Sequence, residues 1–402
     1  MIQSRTSLQF QRSIHSTRQL LLRNSATLRE IQKPQKYTFQ QIYETKIEKA
    51  RQDCVSEIKK FDGSSFLLSK FYPGFLQDAY LGIKAFNIEL SKISLGFQPG
   101  ASSKSERFND MKFAFWEEQI DKCEMLEQDP NSPKVLTGEP ATTLLSDSIR
   151  NGVNINLEAL RQMVKSHQYF LKNESKKGFD NVEKVCSFGE GTNSQVNYAI
   201  QSALLSPSLK EFSNFSIRLL ELPESNDIRN NLSDISAHLG QATSVCSFVI
   251  ALKYFVDTKG QLMLPLDILI KNKIPQEDVL RLIKNGQTDT PEVKDALKNA
   301  VFETCTTAND HILTARSKFD SLKQQINNVV KNSNDTELMS HFKTFNHGVP
   351  DCLFLPFMNG IPTILYLERL EKYDFDVLNP NLKFKEWRLA WRAFRSHHGR
   401  FF

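Results

Sequence analysis

The sequence lacks closely paired cysteines and metal-binding histidine motifs. Its six cysteines are spread widely along the chain, none within a CxxC motif, and are Cys54, Cys123, Cys186, Cys246, Cys305 and Cys352. This spacing argues against a disulfide framework and against a zinc site, and each cysteine is expected to behave as a small buried apolar residue. The eight histidines include no HExxH or comparable spacing. We therefore expect no metal site.

Long apolar runs and strand-like alternation are also missing. No segment has 18 consecutive apolar residues, which argues against a transmembrane helix. Apolar residues instead recur at helical spacing, most clearly at Leu76, Ala79, Tyr80, Ile83, Phe86, Leu90 and Ile93. The chain is 40% apolar, contains 29 Phe and has no evident internal repeat. It is predicted to be all-α, a single large helical domain.

Acidic residues are absent from the first 29 positions, which contain five Arg and many Ser and Thr. Apolar residues there share one helical face, at Leu8, Phe10, Ile14, Leu20, Leu21 and Leu22. This composition is typical of a mitochondrial transit peptide, which we predict over residues 1–36, before a domain over residues 37–402. A disordered basic arm is the alternative. Seven of the 51 basic residues and one of the 46 acids lie in residues 1–37, so the leader accounts for the net charge of +5, and no nucleic-acid surface is expected.

The stretch 232–269 contains the most apolar helix that the sequence predicts. Ser233 and Asp234 offer side-chain oxygens for the first turn of this helix. About twenty helix-forming residues follow, small or apolar on nearly every side, and such a helix belongs inside a large helical protein. Gly240 and Ala242 are expected to let neighbouring helices approach closely.

Other helices follow from the same periodicity, at residues 37–60, 107–121, 181–205, 209–222 and 291–322, and twice within 141–171. Gly189–Asn193 predicts a kink rather than a phosphate-binding loop, because no strand precedes it and no GKS or GKT follows. The segments 96–106 and 127–143 are predicted loops. Residues 323–350 are Asn-rich and polar, and Asn332–Asp335 is predicted to mark a surface excursion.

The central stretch resembles the squalene and phytoene synthases. The shared pattern is Leu239-Gly240-x-Ala242, then Gly260–Pro265, then the acidic, Leu-rich segment 274–280. In active members of that family, this helix carries the second aspartate-rich motif, whose carboxylates hold the magnesium ions that bind the substrate diphosphates. The resemblance places those carboxylate positions at about Ala251, Tyr254 and Phe255. None of these residues supplies the carboxylate oxygens that a hard cation needs.

The helix predicted to begin near Gly74 resembles the helix that bears the first aspartate-rich motif. Its Ala85-Phe86 pair matches the pair that precedes the motif, which places the aspartate positions near Ser91, Lys92 and Leu95. A lysine at such a position repels the metal. The resemblance therefore implies an isoprenoid-synthase fold that has lost its metal-binding aspartates, with no catalytic residues, no metal and no cofactor.

The segment Tyr366–Leu382, with its Asp374-Phe375-Asp376 pattern, is similar to the end of a mitochondrial branch of this family. Members of that branch act in the assembly of respiratory complex I and also lack the catalytic aspartates. The resemblance covers roughly residues 60–385. It implies a non-catalytic assembly factor, peripheral on the matrix side of the mitochondrial inner membrane. The implied partners are complex I assembly intermediates or other assembly factors.

Two further functions remain open. An active or residual isoprenoid diphosphate transferase would need other acids to converge on the cavity, and the candidates are Glu89, Glu117, Glu118 and Asp257. A lipid- or isoprenoid-binding scaffold at the inner membrane would use the residual cavity between the helices. Magnesium-dependent diphosphate binding favours the transferase, metal-independent binding of a neutral lipid favours the scaffold, and co-migration with immature complex I favours the assembly factor.

The C-terminal segment, about 383–402, is predicted to form a basic aromatic helix. At helical spacing, Phe384, Trp387, Trp391 and Phe394 form one stripe beside three arginines. Basic amphipathic helices that contain Trp can lie in a membrane interface. The sequence leaves two alternatives open. Either the aromatic side chains pack on the domain, or a membrane or partner contacts the segment through Trp387, Arg388, Trp391, Arg392, Phe394 and Arg395.

Overall fold

The computed structural model of the chain describes residues 38–96, 106–129, 138–285, 291–333 and 335–402. Contacts between residues divide the chain into two compact units, residues 1–48 and residues 49–402. The predicted transit peptide, residues 1–36, lies outside the described residues and remains a prediction, as do residues 97–105 and 130–137 of the two predicted loops. The predicted loop ends are wrong at residues 106, 127–128 and 140–143, which are helical. The contacts, cavities and surfaces below all belong to the second unit.

The described residues are helical almost throughout and contain no β-strand, which confirms the predicted all-α fold. The first half of the chain forms α1 (Phe39–Phe61), α2 (Gly63–Leu68), α3 (Gly74–Ser94), α4 (Glu106–Gln128), α5 (Pro140–Arg150), α6 (Leu157–Asn173), α7 (Val182–Gly189) and α8 (Gln195–Leu204). The second half forms α9 (Lys210–Glu221), α10 (Asn226–Ile250), α11 (Leu252–Lys259), α12 (Leu266–Lys271), α13 (Gln276–Asn285), α14 (Pro291–Asn332), α15 (Thr336–Phe342), α16 (Asp351–Phe354), α17 (Ile361–Lys372) and α18 (Leu389–Gly399).

Helix α10 is the centre of the domain, where it packs along α14 and against α7. A Cβ atom on Gly240 would lie 2.3 Å from the backbone nitrogen of Ser194. Only glycine permits this approach, as predicted. The predicted helix start at Ser233 and Asp234 is wrong, because the helix already begins at Asn226. A short 3-10 turn at Pro223–Ser225 leads directly into it, so both polar residues lie inside the helix.

Helix α10 ends at a sharp corner before α11. Ala251 lies at the break with φ −83° and ψ 2°, and the axes on either side differ in direction by 51°. Among the described residues, no single helix is long and apolar enough to span a bilayer. Only the two bent pieces, Pro223–Ile250 and Leu252–Lys259, pass that test, and they do so only together. Much of α10 is buried within the domain, as expected of a core helix.

The predicted kink at Gly189–Asn193 takes the form of a π-helical turn over Glu190–Ser194, between α7 and α8. Two glycines make room for it. A Cβ atom on Gly189 would lie 2.9 Å from Gln241 Cα, and one on Gly191 would lie 2.0 Å from Ser166 Oγ. The turn is therefore wedged between α6 and α10. Single π-turns inside helices are frequent at functional sites.

Helix α14 is 42 residues long and extends ten residues beyond its predicted end. Leu322, Ile326 and Val330 are buried at four-residue spacing, so the apolar face of the helix continues through this region. The predicted helix end at residue 322 is therefore wrong, and the helix continues to Asn332, where the predicted surface excursion begins. Tertiary burial of one face outweighs the weak helix preference of asparagine there.

The Asp374-Phe375-Asp376 pattern fastens the chain after α17 onto α14. Lys298 Nζ donates to Asp374 at 2.8 Å, and Lys294 forms an ion pair with Asp376 at 2.9 Å. Phe375 packs edge-on against Phe302, with ring centroids 4.9 Å apart. These contacts give the pattern a structural role.

Candidate functional site

The positions marked by the family pattern meet at a cavity of about 130 Å³, the central cavity, among α3, α6, the π-helical turn, α10 and α11. Its polar walls are Asn87, Ser91, His167, Thr192, Asn193, Ser244 and Ser247. Its apolar walls are Leu95, Phe188, Phe248, Ala251 and Phe255. The cavity wall formed by these residues contains no Asp or Glu.

Four of the six positions at which the resemblance expects carboxylates line the central cavity, namely Ser91, Leu95, Ala251 and Phe255. Two sequence regions that lie far apart in the chain therefore meet at one cavity. The Ser91 hydroxyl donates to the backbone oxygen of Asn87 at 2.8 Å, and the other three side chains are apolar. These walls do not offer the set of oxygen ligands that magnesium requires.

Lys92 does not line the central cavity. Its amine is buried between Glu57 and Glu89 and donates to Glu89 at 2.5 Å. Burial alone would lower the pKa of Lys92, but hydrogen bonds and charge interactions with the two carboxylates outweigh it and raise that pKa. The lysine is a structural cation that joins α1 to α3.

Tyr254 does not line the central cavity either. Its hydroxyl donates to the backbone oxygen of Gly96 at 2.6 Å. Because Gly96 follows α3 and Tyr254 lies in α11, this bond ties together the two regions that resemble the metal-binding motifs. In an active synthase the same two regions would be linked by metal ions, as the resemblance implies.

His167 is one of the polar groups of the central cavity that the sequence did not mark as site residues. It is fully buried on α6, and Nδ1 lies 2.7 Å from Ser94 Oγ. Burial lowers its pKa to about 3, so the imidazole is neutral near pH 7. A lone histidine on the apolar face shared by Met163, Val164 and Phe170 was the available signal.

Polar side chains of the central cavity have hydrogen-bond partners within the fold, most of them backbone oxygens. Asn193 Nδ2 donates to Ser244 Oγ at 2.7 Å, and Thr192 Oγ1 donates to the backbone oxygen of Phe188 at 2.6 Å. A neutral cavity of this kind, with its hydrogen bonds made internally, suits neither a diphosphate nor its counter-ions. Nowhere in the part of the chain that the structure describes do three or more His, Cys, Asp or Glu side chains cluster so as to hold a metal ion.

None of the four acids considered for a transferase lines the central cavity. Glu89 binds Lys92, and Asp257 pairs with Lys253 at 3.1 Å on the surface of α11. The other two, Glu117 and Glu118, are exposed on α4. The sequence identified four acids that could act as ligands, but the fold distributes them over three different places.

A larger cleft of about 760 Å³ adjoins the central cavity and shares Phe188 with it. Its aromatic walls are Tyr169, Phe170, Phe179 and Phe188. Its charged walls are Lys165, Glu174, Lys184 and Glu190. The size of the cleft, unlike that of the central cavity, falls within the range of small-molecule sites.

The C-terminal helix α18 spans Leu389–Gly399, so the predicted helix from about residue 383 begins too early. Four aromatic side chains of this segment are exposed: Phe384 by 69%, Trp387 by 83%, Trp391 by 62% and Phe394 by 47%. Phe384 and Trp387 precede the helix, and Trp391 and Phe394 stack on it with centroids 5.9 Å apart. The sequence left two alternatives open for these side chains. The structure excludes the first, because the four side chains do not pack into the domain.

The opposite face of α18 holds the segment in place. Leu389, Ala393 and Ser396 are buried, and beyond the helix Arg400 donates to the backbone oxygen of Val349 at 3.0 Å. Phe402 is buried against Phe319 and Phe357, with centroids 5.4 and 6.0 Å away. The small residues of the helix face the domain, and the large ones face outward.

The three predicted contact arginines differ in their surroundings. Arg388 pairs with Glu386 at 2.9 Å and with Glu368 at 3.0 Å, and Arg392 pairs with Glu368 at 3.5 Å. Arg395 is exposed and its guanidinium lies 5.8 Å from the centre of the Phe401 ring. Two of the arginines therefore hold the segment to α17, and only the third faces solvent.

Comparisons with known proteins agree with this fold. The NADH dehydrogenase (ubiquinone) complex I assembly factor 6 homolog of Drosophila melanogaster is 21% identical over 323 residues, which cover 80% of this chain and 75% of that protein. Complex I assembly factor 6 of Bos taurus is 21% identical over 333 residues, covering 83% and 77%.

A solved dehydrosqualene synthase with bound ligand superposes with a TM-score of 0.51 at 13% identity. The match covers 87% of this chain and 97% of that one, and at this identity it shows the fold alone. The family model for squalene/phytoene synthase matches residues 58–395. The chain therefore belongs to the squalene/phytoene synthase family.

Proposed function

We propose that this protein is a non-catalytic assembly factor for respiratory complex I. Two relatives that carry the name complex I assembly factor 6 align with at least 80% of the chain. Their identity of 21% is low but extends over 323 and 333 residues of the chain. The proposed partners are assembly intermediates of complex I or other assembly factors.

The observation that carries the non-catalytic part of the proposal is the chemistry of the central cavity. Joining or cleaving isoprenoid diphosphates requires stabilisation of a diphosphate leaving group, which carboxylate-bound metal ions supply. The residues here are Ser91, Leu95, Ala251 and Phe255, and the nearby Lys92 is bound to acids outside the cavity. The fold of the family is kept, and the residues that its chemistry needs are replaced.

We further propose a location on the matrix side of the mitochondrial inner membrane, with the protein bound peripherally. The names of the relatives and the composition of residues 1–36 support a mitochondrial address. Import followed by removal of residues 1–36 would leave the helical domain in the matrix. Fractionation of mitochondria with carbonate and protease would test this location.

The decisive test of assembly is genetic. The gene is deleted in the source organism, and respiratory complexes are resolved on a native gel after rescue with the wild type or a variant. We expect loss of mature complex I, with other complexes intact, and full rescue by the wild type. An Ala251→Leu variant, which partly fills the central cavity, is expected to rescue equally. Normal complex I without the protein overturns the proposal.

Catalysis is tested separately with the purified chain, isoprenoid diphosphates and magnesium. The proposal expects no release of diphosphate above that of the heat-denatured protein. Turnover that depends on magnesium and disappears in Ala251→Leu would contradict it and would favour a residual transferase.

The cleft beside the central cavity favours a second candidate, a scaffold that binds a neutral lipid. Its 760 Å³ suits a lipid whose apolar part lies on the aromatic walls and whose polar end meets the charged walls, whereas 130 Å³ is too small for one. Mass spectrometry of organic extracts from the purified protein tests this candidate. A lipid that co-purifies with the wild type and is lost from Phe179→Asp would support it, provided that the variant keeps its helical circular dichroism.

A further inference from the structure

We propose that the C-terminal segment docks this protein onto an anionic lipid bilayer through one aromatic and basic surface. This tail surface consists of Phe384, Trp387, Trp391 and Phe394 with Lys383, Lys385 and Arg395. The inference deepens the proposed peripheral location. It depends on surface chemistry alone. The docking proposal can therefore fail while the assembly role stands, and the assembly role can fail while the docking proposal stands.

The tail surface presents large apolar side chains on a fixed backbone. Trp391, Phe394 and His398 share one face of α18, since the Phe394 ring stacks on Trp391 with centroids 5.9 Å apart and packs at a tilt against His398 with centroids 4.2 Å apart. The opposite face is buried through Ala393 and Ser396. Docking therefore does not require the helix to form or to move, and the entropy of ordering it is already lost in the folded chain.

The charge of the tail surface is positive because its acids are engaged. Glu386 is held by Arg388, and Glu368 by Arg388 and Arg392. Lys383, Lys385 and Arg395 are exposed, and within the described residues no ion pair involves them. Three unpaired cations beside exposed aromatic rings match a negatively charged headgroup region, where each basic residue adds attraction.

A bilayer fits this surface better than a protein partner does. Trp side chains favour the membrane interface, where the ring lies among apolar chains and its N–H group meets water or headgroups. A bilayer accepts individually projecting rings such as Trp387 without a complementary pocket. A protein hot spot would instead need one pocket for each ring.

The test uses intrinsic fluorescence of the full chain. The protein has three tryptophans, of which Trp116 is buried and the other two lie in the tail surface. The N-terminal leader has none, so tryptophan emission reports the tail surface even if the basic leader also binds lipid. Vesicles of phosphatidylcholine alone are compared with vesicles that also contain phosphatidylglycerol. We expect a shift to shorter wavelength with the anionic vesicles and quenching by brominated lipid.

Charge and aromatic variants sharpen the result. Lys383→Gln with Lys385→Gln is expected to weaken the fluorescence-detected partition by about ten-fold or more, whereas Lys331→Gln with Lys343→Gln, exposed elsewhere, leaves it unchanged. Trp387→Ala with Trp391→Ala is expected to reduce co-sedimentation, whereas Met111→Ala with Met125→Ala, exposed on α4, is not. Circular dichroism confirms folding in each case.

Unshifted tryptophan emission with both kinds of vesicle overturns the proposal. So does an equal shift with neutral and anionic vesicles, because the basic residues would then play no part. If vesicles leave the emission unchanged while Trp387→Ala with Trp391→Ala still fails to restore complex I in cells, the surface belongs to a protein contact.

Discussion

The central cavity and the tail surface are opposite in almost every physical respect. The cavity is lined by uncharged side chains that have hydrogen-bond partners within the fold, such as Asn193 with Ser244. The tail surface holds exposed aromatic rings, among them Trp387, and cations without ion pairs among the described residues. The cavity lies where the resemblance expects the family's metal-binding motifs, whereas the tail surface lies in the C-terminal segment.

This difference shows where the capacity to bind remains. A side chain that is already satisfied within the fold offers little free energy to a ligand, because any new hydrogen bond replaces an existing one. Exposed rings and unpaired cations gain from being covered. In this protein, polar side chains of the central cavity have partners within the fold, whereas the tail surface has exposed rings and cations without ion pairs among the described residues.

The largest effect is expected from breaking the helix contact beside the central cavity. Gly240→Val would place side-chain atoms against the backbone of Ser194 and is expected to lower the free energy of unfolding by about 5 kcal/mol or more. Urea denaturation followed by circular dichroism measures it. Gly63→Ala, which meets no atom within 4 Å, is the control and should change stability by less than about 1 kcal/mol. A Gly240→Val protein of normal stability would show that the two helices separate easily.

The second prediction compares a buried ring with an exposed ring of the C-terminal segment. Phe402→Ala removes a ring buried on Phe319 and Phe357 and is expected to destabilise by about 3 to 4 kcal/mol. Trp391→Ala removes an exposed ring and should change stability by less than about 0.5 kcal/mol. Thermal unfolding of the two variants side by side gives the comparison. Similar losses for both would mean that Trp391 packs on the domain.

The third prediction concerns pH and the buried imidazole of the central cavity. The pKa of His167 is about 3 in the folded protein and about 6.5 when unfolded, so its stabilising contribution is complete above pH 6.5 and is lost as the pH falls towards 3. Below pH 6.5 the wild type should lose about 1.4 kcal/mol per pH unit more than His167→Gln. Unfolding free energies at several pH values measure the difference. Parallel curves below pH 6 would rule out a buried neutral His167, and parallel curves above pH 7.5 serve as the internal control.

The smallest effect is expected from filling the central cavity. Ala251→Leu adds three carbons that face unoccupied space and is expected to change stability by less than about 1 kcal/mol. Ala242→Leu adds the same atoms at a buried, packed position of α10 and should destabilise by about 1 to 3 kcal/mol. Chemical denaturation of both variants tests whether the space beside Ala251 can accommodate a larger side chain. Equal losses would show that it is not.

Helix periodicity predicted the fold well and the helix ends poorly. The buried spacing of α3 and α10 gave an all-α domain, and Gly240 was correctly assigned to a close helix contact. The start of α10 and the end of α14 were missed, because Ser233 and Asp234 look like caps and the Asn-rich residues look like a loop. Packing decides such boundaries, since burial of Ile326 and Val330 outweighs local preference.

The sequence could predict several residues of the candidate site but not which partners they contact. The resemblance named Ser91 and Ala251, and the fold brings them to one cavity. The roles of Lys92 and Tyr254 depend on Glu57 and Gly96, which lie far from them in the chain or on other helices. No one-dimensional spacing encodes those partners.

The sequence by itself determined that the chain folds as helices around an apolar core, because the period of apolar residues fixes which faces are buried. The resemblance read from the sequence also predicts which side chains stand at the family's metal-binding positions. Only the tertiary structure decided that His167 is a buried neutral group and that Lys92 pairs with two acids outside the central cavity. It also decided that the aromatic rings of the C-terminal segment face outward. Direction and burial arise from contacts between helices far apart in the chain, and those contacts exist only once the helices have packed.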